Sequence, residues 1–354
     1  MAMLELREPE GAFRRLEDWL RGHGFFQPGG EGLTAELFLA YGLSQTIRRH
    51  ATPIPPEPCP ALPLLACRIV ERRETPRRRA EVGEWEPTWE AADYASAIER
   101  VREAIARGDV YQVNLVQHLA APFAGDPRAL ADALAPLRPL QPQPFVADDW
   151  AVVSGSPELF LSRRSRRVWT RPIKGTRPRG EADELADSEK DAAEHVMIVD
   201  LERNDLSRVC EPGSVRWPEL MATQELAGVE HMVSLVQGTQ REDAGLAELL
   251  EATFPGGSVT GAPKIAAVDL IAELEPVGRG ASMGALGLVH GNGDLDLALT
   301  IRTFAVANGR IHLWVGGGIV WDSEPVAEIE ESWTKARPLL QAIGSPAAVP
   351  VGAR

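Results

Sequence analysis

The sequence predicts an α+β fold in which antiparallel sheet is flanked by helices, and three observations carry that expectation. Stretches with the two-residue alternation of strands and stretches with helical spacing succeed one another without the regular strand–helix–strand beat of a parallel sheet. Two Asn-Gly turns, within Gly291-Asn-Gly-Asp and Ala307-Asn-Gly-Arg, are the short reversals of antiparallel hairpins. The 354 residues are 44% hydrophobic and 25% charged, enough apolar material for one large soluble domain or two modest ones.

Taken in order, Phe13, Leu16, Trp19 and Leu20 recur at helical spacing, so 11–24 is read as an amphipathic helix ended by Gly22 and Gly24. Six prolines between 53 and 63 and the basic stretch 72–79 predict a connector over 50–85, crossed by one short strand at 64–70. A boundary near 85 follows, between a short N-terminal subdomain with its connector, 1–85, and a main domain, 86–345; residues 346–354 form a loose tail. Tyr94, Ile98, Val101 and Ile105 mark a helix over 91–107 closed by Gly108, and 110–119 alternates as a strand. Further strands are expected at 151–154, 159–162, 166–170, 284–290, 296–306 and 310–315. Lys174 falls in a basic loop stiffened by Pro172 and Pro178. Helices are expected at 187–205, at 265–274 with Pro263 in its first turn, and at 326–343.

Composition narrows the function. Lys plus Arg total 37 against 51 Asp plus Glu, and the formal charge of −14 argues against nucleic-acid binding and against attraction to an acidic membrane. The local run Arg171, Lys174, Arg177, Arg179 suits a small anionic ligand. Three cysteines without a CxxC pair signal neither a disulfide framework nor a zinc site, and fit a reducing cytoplasm. The first residues lack the pattern of a signal peptide, and no stretch approaches 18 uninterrupted apolar residues, so neither export nor a membrane span is expected.

Candidate site residues come from spacing. Asp187, Asp191, Glu194 and Ile198 share one stripe of a helix, and the apolar run 196–201 carries that helix inward, placing Glu194 at the dry end of the stripe. Glu328 and Glu331 lie three apart beside the core stripe Ile329, Trp333, Ala336 and Leu340. Two such acid pairs offer the hard oxygen ligands that Mg²⁺ takes; the same spacing equally suits a solvated face in which Glu331 pairs Lys335. The glycine-rich turn 254–264 offers backbone N–H groups and the hydroxyls of Ser258 and Thr260 to an anion, although Ala262 and Pro263 replace the Lys-Ser/Thr pair of a phosphate loop. Gly316, Gly317 and Gly318 are either a bulge or a place where backbone meets ligand. His231 reads as a core-edge histidine. Arg302, in an apolar strand, reads as buried on a partner, and a substrate carboxylate would suit its bidentate fork.

These segments together resemble the chorismate-binding enzymes: the ammonia-using components of anthranilate and aminodeoxychorismate synthases and their isochorismate and salicylate relatives. The resemblance runs from about 108 to 343. It rests on Gly-Asp-Val-Tyr-Gln-Val-Asn-Leu at 108–115, Ser-Pro-Glu at 156–158, Pro-Ile-Lys-Gly-Thr at 172–176 and Ala-Glu-His-Val-Met-Ile-Val-Asp-Leu at 193–201. His231-Met-Val-Ser, 254–264, 296–303 and Gly316-Gly-Gly-Ile-Val match further. It implies packed antiparallel sheets flanked by helices. Relatives that add water to chorismate carry lysine where this chain has Gln112, and anthranilate synthases usually carry alanine where it has Lys174, so the resemblance is nearest the aminodeoxychorismate synthase component I branch.

What the resemblance implies is Mg²⁺-dependent amination of chorismate with ammonia, feeding 4-aminobenzoate and folate. Lys174 would be the nucleophile and Glu158 the general acid. Glu194 and Glu331, backed by Asp191 and Glu328, would hold Mg²⁺, while Arg302, His231, Ser258, Thr176 and the backbone of Gly316, Gly317 and Gly318 would contact substrate. A separate glutamine amidotransferase subunit would supply ammonia, because no cysteine stands in a glutaminase context. The rivals are anthranilate synthase component I and a non-catalytic chorismate-binding subunit. The family's paired aromatics are replaced by Ser282 and Leu288, which implies an altered wall around the substrate ring. No Leu-Leu-Glu-Ser element is found, so tryptophan feedback is not expected.

Overall fold

Alternating and continuous apolar runs drive the chain into two sheets in which every pairing is antiparallel. In a computed structural model of the chain, residues 2–70, 79–178, 183, 188–226 and 229–345 are described, and among them one sheet has ten strands and the other eight. The first runs in spatial order β1 (Met3–Leu6), β3 (Leu65–Ile69), β2 (Thr34–Leu39), β15 (Ala285–His290), β16 (Leu295–Leu299), β9 (Leu159–Arg164), β10 (Arg167–Arg171), β13 (Val229–Thr239) and β11 (Ile173–Pro178), with β12 (Arg216–Leu226) also on β13. The second runs β14 (Gly261–Ala262), β6 (Gln112–Gly125), β18 (Arg310–Ile319), β17 (Thr303–Ala307), β8 (Trp150–Ser154) and β7 (Phe145–Val146), with β4 (Ala80–Val82) and β5 (Glu86–Pro87) on β6.

Burial explains why the strands of the second sheet read as near-continuous apolar runs. One face joins the main core, where Val116 of β6, Val152 of β8 and Trp314 of β18 cluster with Leu37, Leu161 and Leu297 of the first sheet. The opposite face carries Leu119, Val153, Phe304 and Leu313 against α3 (Arg128–Leu134) and α7 (Pro325–Ala342), whose Trp333 and Leu340 are buried there. Each such side chain contributes roughly 1.5–3 kcal/mol by leaving water. The other helices are α1 (Ala12–Gly22), α2 (Ala91–Ala106), α4 (Glu189–Ser207), α5 (Leu246–Thr253) and α6 (Lys264–Leu274). Residues before 85 supply β1, β2 and β3, and β2 extends the first sheet by pairing Leu37 with Gly287 of β15. All three cysteines are free and buried. Among the described residues no helix is long and apolar enough to cross a membrane. Asp187 and the tail 346–354 lie outside the described residues.

Three expectations are corrected. The single strand expected at 296–306 is two strands in different sheets, β16 and β17; the chain crosses between them with Arg302 in the left-handed region at φ 51, so Arg302 stands at a corner and not within a strand. Lys174 lies on strand β11 and not in a loop. The run 196–201 is not buried all round: Ile198 and Val199 are buried, while Val196 is 48% exposed and Asp200 is exposed.

Candidate active site

Glu158 is the centre of the arrangement. It lies at the entry to β9, 6% exposed, and Ser258 Oγ donates to its Oε1 at 2.7 Å. The Ile173 N–H approaches the same oxygen at 3.5 Å. Burial pushes the Glu158 carboxyl above its ordinary range, against the opposing pull of Ser258, Lys174, the Ile173 N–H and Arg302. A buried carboxyl with a raised pKa is what a general acid working near neutral pH needs.

The neighbouring strands deliver the cations. β11 pairs with β13 so that Lys174 faces Met232 and Thr176 faces His231, with a shift of register between them. Gly175 takes φ 63 at that bulge, a conformation that suits glycine. His231, 2% exposed, donates from Nδ1 to the Gly175 carbonyl at 3.2 Å, and burial holds its pKa down. Burial likewise lowers the Arg302 pKa, with Glu158 opposing the shift. Glu158, Lys174, Ser258, His231 and Arg302 are thus brought together from five separate segments.

Gly316, Gly317 and Gly318 lie within β18 and not in a bulge. A Cβ on Gly316 would collide with the Leu115 carbonyl of β6, and one on Gly318 with the Gln112 amide. β6 pairs with β18 as far as Ile319, whereas β17 pairs only with Arg310–Leu313, so the other edge of the glycine run carries no strand among the described residues. Gly317 faces α7. A Cβ there would stand 3.4 Å from Glu328 Oε2, 3.4 Å from Lys335 Nζ and 3.5 Å from Glu331 Oε1. Lys335 pairs with Glu331 at 2.7 Å and donates to the Gly316 carbonyl at 3.0 Å. Glu328 is buried and accepts from Ser323 Oγ at 2.7 Å.

Glu331 is exposed and Glu194, on α4, is half-buried. The side chains of Asp191 and Thr176 lie outside the described residues. Among the described residues no group of three His, Cys, Asp or Glu side chains is gathered to hold a metal ion. Yet Glu328 and Glu331 present oxygens around a point that already attracts an ammonium, and hard oxygens on a cation are the chemistry Mg²⁺ requires; these residues fit that ion.

Two residues escaped sequence reasoning. His195 is fully buried, shares a 2.6 Å hydrogen bond between Nε2 and Ser234 Oγ, and is pushed down to about 4 by burial and then by Lys174. Glu202 is buried beside Thr170. A histidine or glutamate inside an amphipathic helix gives no periodic signal of its own.

The family model for chorismate binding enzyme matches residues 40–341. The chain belongs to the chorismate-binding enzymes. It is 44% identical over 262 residues to anthranilate synthase component 1 of Thermus thermophilus, covering 71% of this chain and 56% of that protein. It is 42% identical over 273 residues to aminodeoxychorismate synthase component 1 of Klebsiella aerogenes, covering 74% and 60%. The chain spans between half and three-fifths of these relatives' lengths. The crystal structure of anthranilate synthase component I from Streptococcus pneumoniae superposes with a TM-score of 0.80 at 26% identity, covering 91% of this chain and 84% of that one, which agrees with the α+β fold of packed antiparallel sheets read from the sequence.

Proposed function

We propose that this chorismate-binding enzyme aminates chorismate with ammonia to 4-amino-4-deoxychorismate, through a covalent adduct on Lys174. The observation that carries the proposal is the position of Lys174 beside the β11 bulge, near enough for its charge to act on the buried Glu158. The unprotonated Lys174 amine attacks ring C2, the conjugated ring double bonds shift, and the C4 hydroxyl leaves as water with the proton of Glu158. Ammonia then adds at C4, the double bonds shift back, and Lys174 departs as the free amine. The new C4 ammonium returns a proton to Glu158, so the sum is chorismate plus ammonia to aminodeoxychorismate plus water.

Arg302 and the open edge of Gly316 to Gly318 take one substrate carboxylate, and His231, Ser258 and Thr176 line the ring. Glu194 and Glu331, with Asp191 and Glu328, would hold Mg²⁺, which when bound supplies positive charge opposite the other carboxylate. Relatives named component 1 support a separate glutamine amidotransferase subunit as the source of ammonia, and a cytoplasmic setting suits the free cysteines.

A second reading, anthranilate synthase, is favoured by an identity as high to that relative as to the aminodeoxychorismate one. One assay separates them. Chorismate, ammonium and Mg²⁺ are incubated with and without an added aminodeoxychorismate lyase. 4-Aminobenzoate appearing only with the lyase is the expected result; fluorescent anthranilate formed without it overturns the proposal. Lys174→Ala is expected to lose at least about 100-fold in turnover and to lose the covalent chorismate adduct seen by mass spectrometry in the parent. Full activity in that variant rules out the lysine route.

A further inference from the structure

The glycine-rich turn that carries Ser258 is fastened by groups that the proposed chemistry does not use. At its base stands Lys264, the first residue of α6, with a side chain only 11% exposed. Its Nζ donates to the Pro255 carbonyl at 2.6 Å, to the Thr253 carbonyl at 3.2 Å and to Asp205 Oδ2 of α4 at 2.6 Å. All three N–H bonds of the ammonium are committed, and one side chain ties together the end of α5, the start of the turn and α4. Inside the turn Thr260 is fully buried, and its hydroxyl, expected from the sequence to serve an anion, donates instead to the Gly256 carbonyl at 2.9 Å, with the Gly257 carbonyl 3.2 Å away. At the exit, the Asn114 N–H of β6 donates to the Thr260 carbonyl at 2.7 Å. The turn is also wedged: a Cβ on Gly256 would stand 2.9 Å from Leu299 Cδ1 of β16, and one on Gly257 3.0 Å from Leu201 Cδ2 of α4. Ser258, between these anchors, donates to Glu158 at 2.7 Å. A buried ion pair adds little stability over apolar side chains of the same size; what apolar side chains could not supply is directed bonds to the two carbonyls before Ser258.

We infer that Lys264 is a positioning residue: through Thr253, Pro255 and Asp205 it clamps the turn so that the Ser258 hydroxyl meets Glu158 at hydrogen-bond distance. Lys264 acts on Glu158 only through the turn, because its own N–H bonds all go to Asp205 and the two carbonyls. Without the clamp the hydroxyl moves off the carboxyl, which loses a donor that favours its charged form. The inference rests on the acid role proposed for Glu158, but the clamp itself is a property of the resting protein.

The test uses the full chain carrying Lys264→Met and Asp205→Asn together, which removes the clamp without stranding a buried charge and leaves the net charge behind the turn unchanged. Lys174, Arg302 and Glu202, the charged groups that act on Glu158 or feel its charge, stay in place. Chorismate consumption is followed, so the readout holds whichever amine is formed. The double variant is expected to lose roughly 10- to 100-fold in kcat/KM, and the alkaline limb of its profile to move up by about one pH unit, the direction given by loss of the Ser258 donor. In a Ser258→Ala background the same two changes move the limb no further. An unmoved limb, or an equal additional shift on top of Ser258→Ala, overturns the inference. Lys264→Arg keeps Asp205 paired and serves where the double variant does not fold: a planar fork does not reproduce the three bonds of one ammonium, so the limb again moves up, and a profile matching the parent's overturns the inference. In the resting protein, hydrogen exchange over 254–262 is expected to quicken at least about tenfold in the double variant, and unchanged exchange removes the clamp. Quickened exchange in a protein whose parent consumes no chorismate leaves the clamp standing and the acid role of Glu158 fallen.

Discussion

Ser258 acts on the protonation of Glu158 by direct contact. Its hydroxyl donates to the carboxyl and so favours the charged form, whereas burial disfavours it. Removing the hydroxyl by Ser258→Ala raises the Glu158 pKa further. The alkaline limb of kcat/KM then moves up by about one to two pH units, since a hydrogen bond to a charged group is worth about 1.5–3 kcal/mol. A downward shift, or none, shows that this contact does not set the acid. Arg302 calls for a different readout. Its guanidinium is proposed to hold a substrate carboxylate that does not react, so Arg302→Lys, which keeps charge and loses the fork, should raise KM for chorismate roughly 10–100-fold with a smaller change in kcat. Equal loss in kcat with KM unchanged places Arg302 in the chemical step instead.

Strand β18 shows how one element serves both fold and site. Gly316 meets the β6 backbone, which cannot retreat, and Gly316→Ala is expected to destabilise the protein by about 3 kcal/mol. The three atoms nearest to a Cβ on Gly317 are the ends of flexible side chains, so Gly317→Ala should melt close to the parent. Calorimetry of both variants checks the contrast, and equal melting temperatures defeat it. The helices and most inner strands were legible from spacing, because burial on one face leaves a period. The corner at Arg302 was not: the residues around it are apolar on both sides, and nothing in 296–306 marks a change of sheet. Strand β11 was hidden for the opposite reason, since Pro172 and Pro178 at its ends read as a turn while its pairing to β13 depends on residues 51 (Pro178 to Val229) to 60 (Ile173 to Val233) positions away. Paired acids pointed to α7 and α4 but could not show that Lys335 sits between Glu331 and the Gly316 carbonyl. Of the two residues read as parts of the ring wall, Leu288 registers between Glu36 of β2 and Asp296 of β16, and Ser282 Oγ donates to the Thr300 carbonyl at 3.4 Å.

At the scale of the molecule, the centre of the second sheet makes global stability sensitive to acid. His118 of β6 and His312 of β18 are each 4% exposed and share a hydrogen bond of 3.0 Å between Nε2 and Nδ1. Thr88 Oγ1 lies 2.6 Å from His118 Nδ1, the Trp314 ring packs on both imidazoles, and Arg310 is the nearby cation. Burial pushes His118 down to about 3 and His312 down to about 4. Both folded values lie below the unfolded value of about 6.5, so their contribution is fully present above that pH and is lost as pH falls from there toward the folded values. Below pH 6.5 the unfolded chain gains protons that the folded chain refuses, at about 1.4 kcal/mol per pH unit for each histidine. Raised acids work the other way: Glu57 at about 7 and Glu202 at about 8 bind protons in the folded state first, which stabilises the fold over part of the same range. The net slope therefore mixes signs, and the decisive quantity is a difference. A double variant, His118→Gln with His312→Gln, keeps amides able to bond across the strands but cannot titrate. Its stability, measured by urea unfolding, should fall less steeply than the parent's on acidification, by about 3 kcal/mol per pH unit below 6.5. Parallel slopes for variant and parent mean that the imidazoles titrate alike in the folded and unfolded chain.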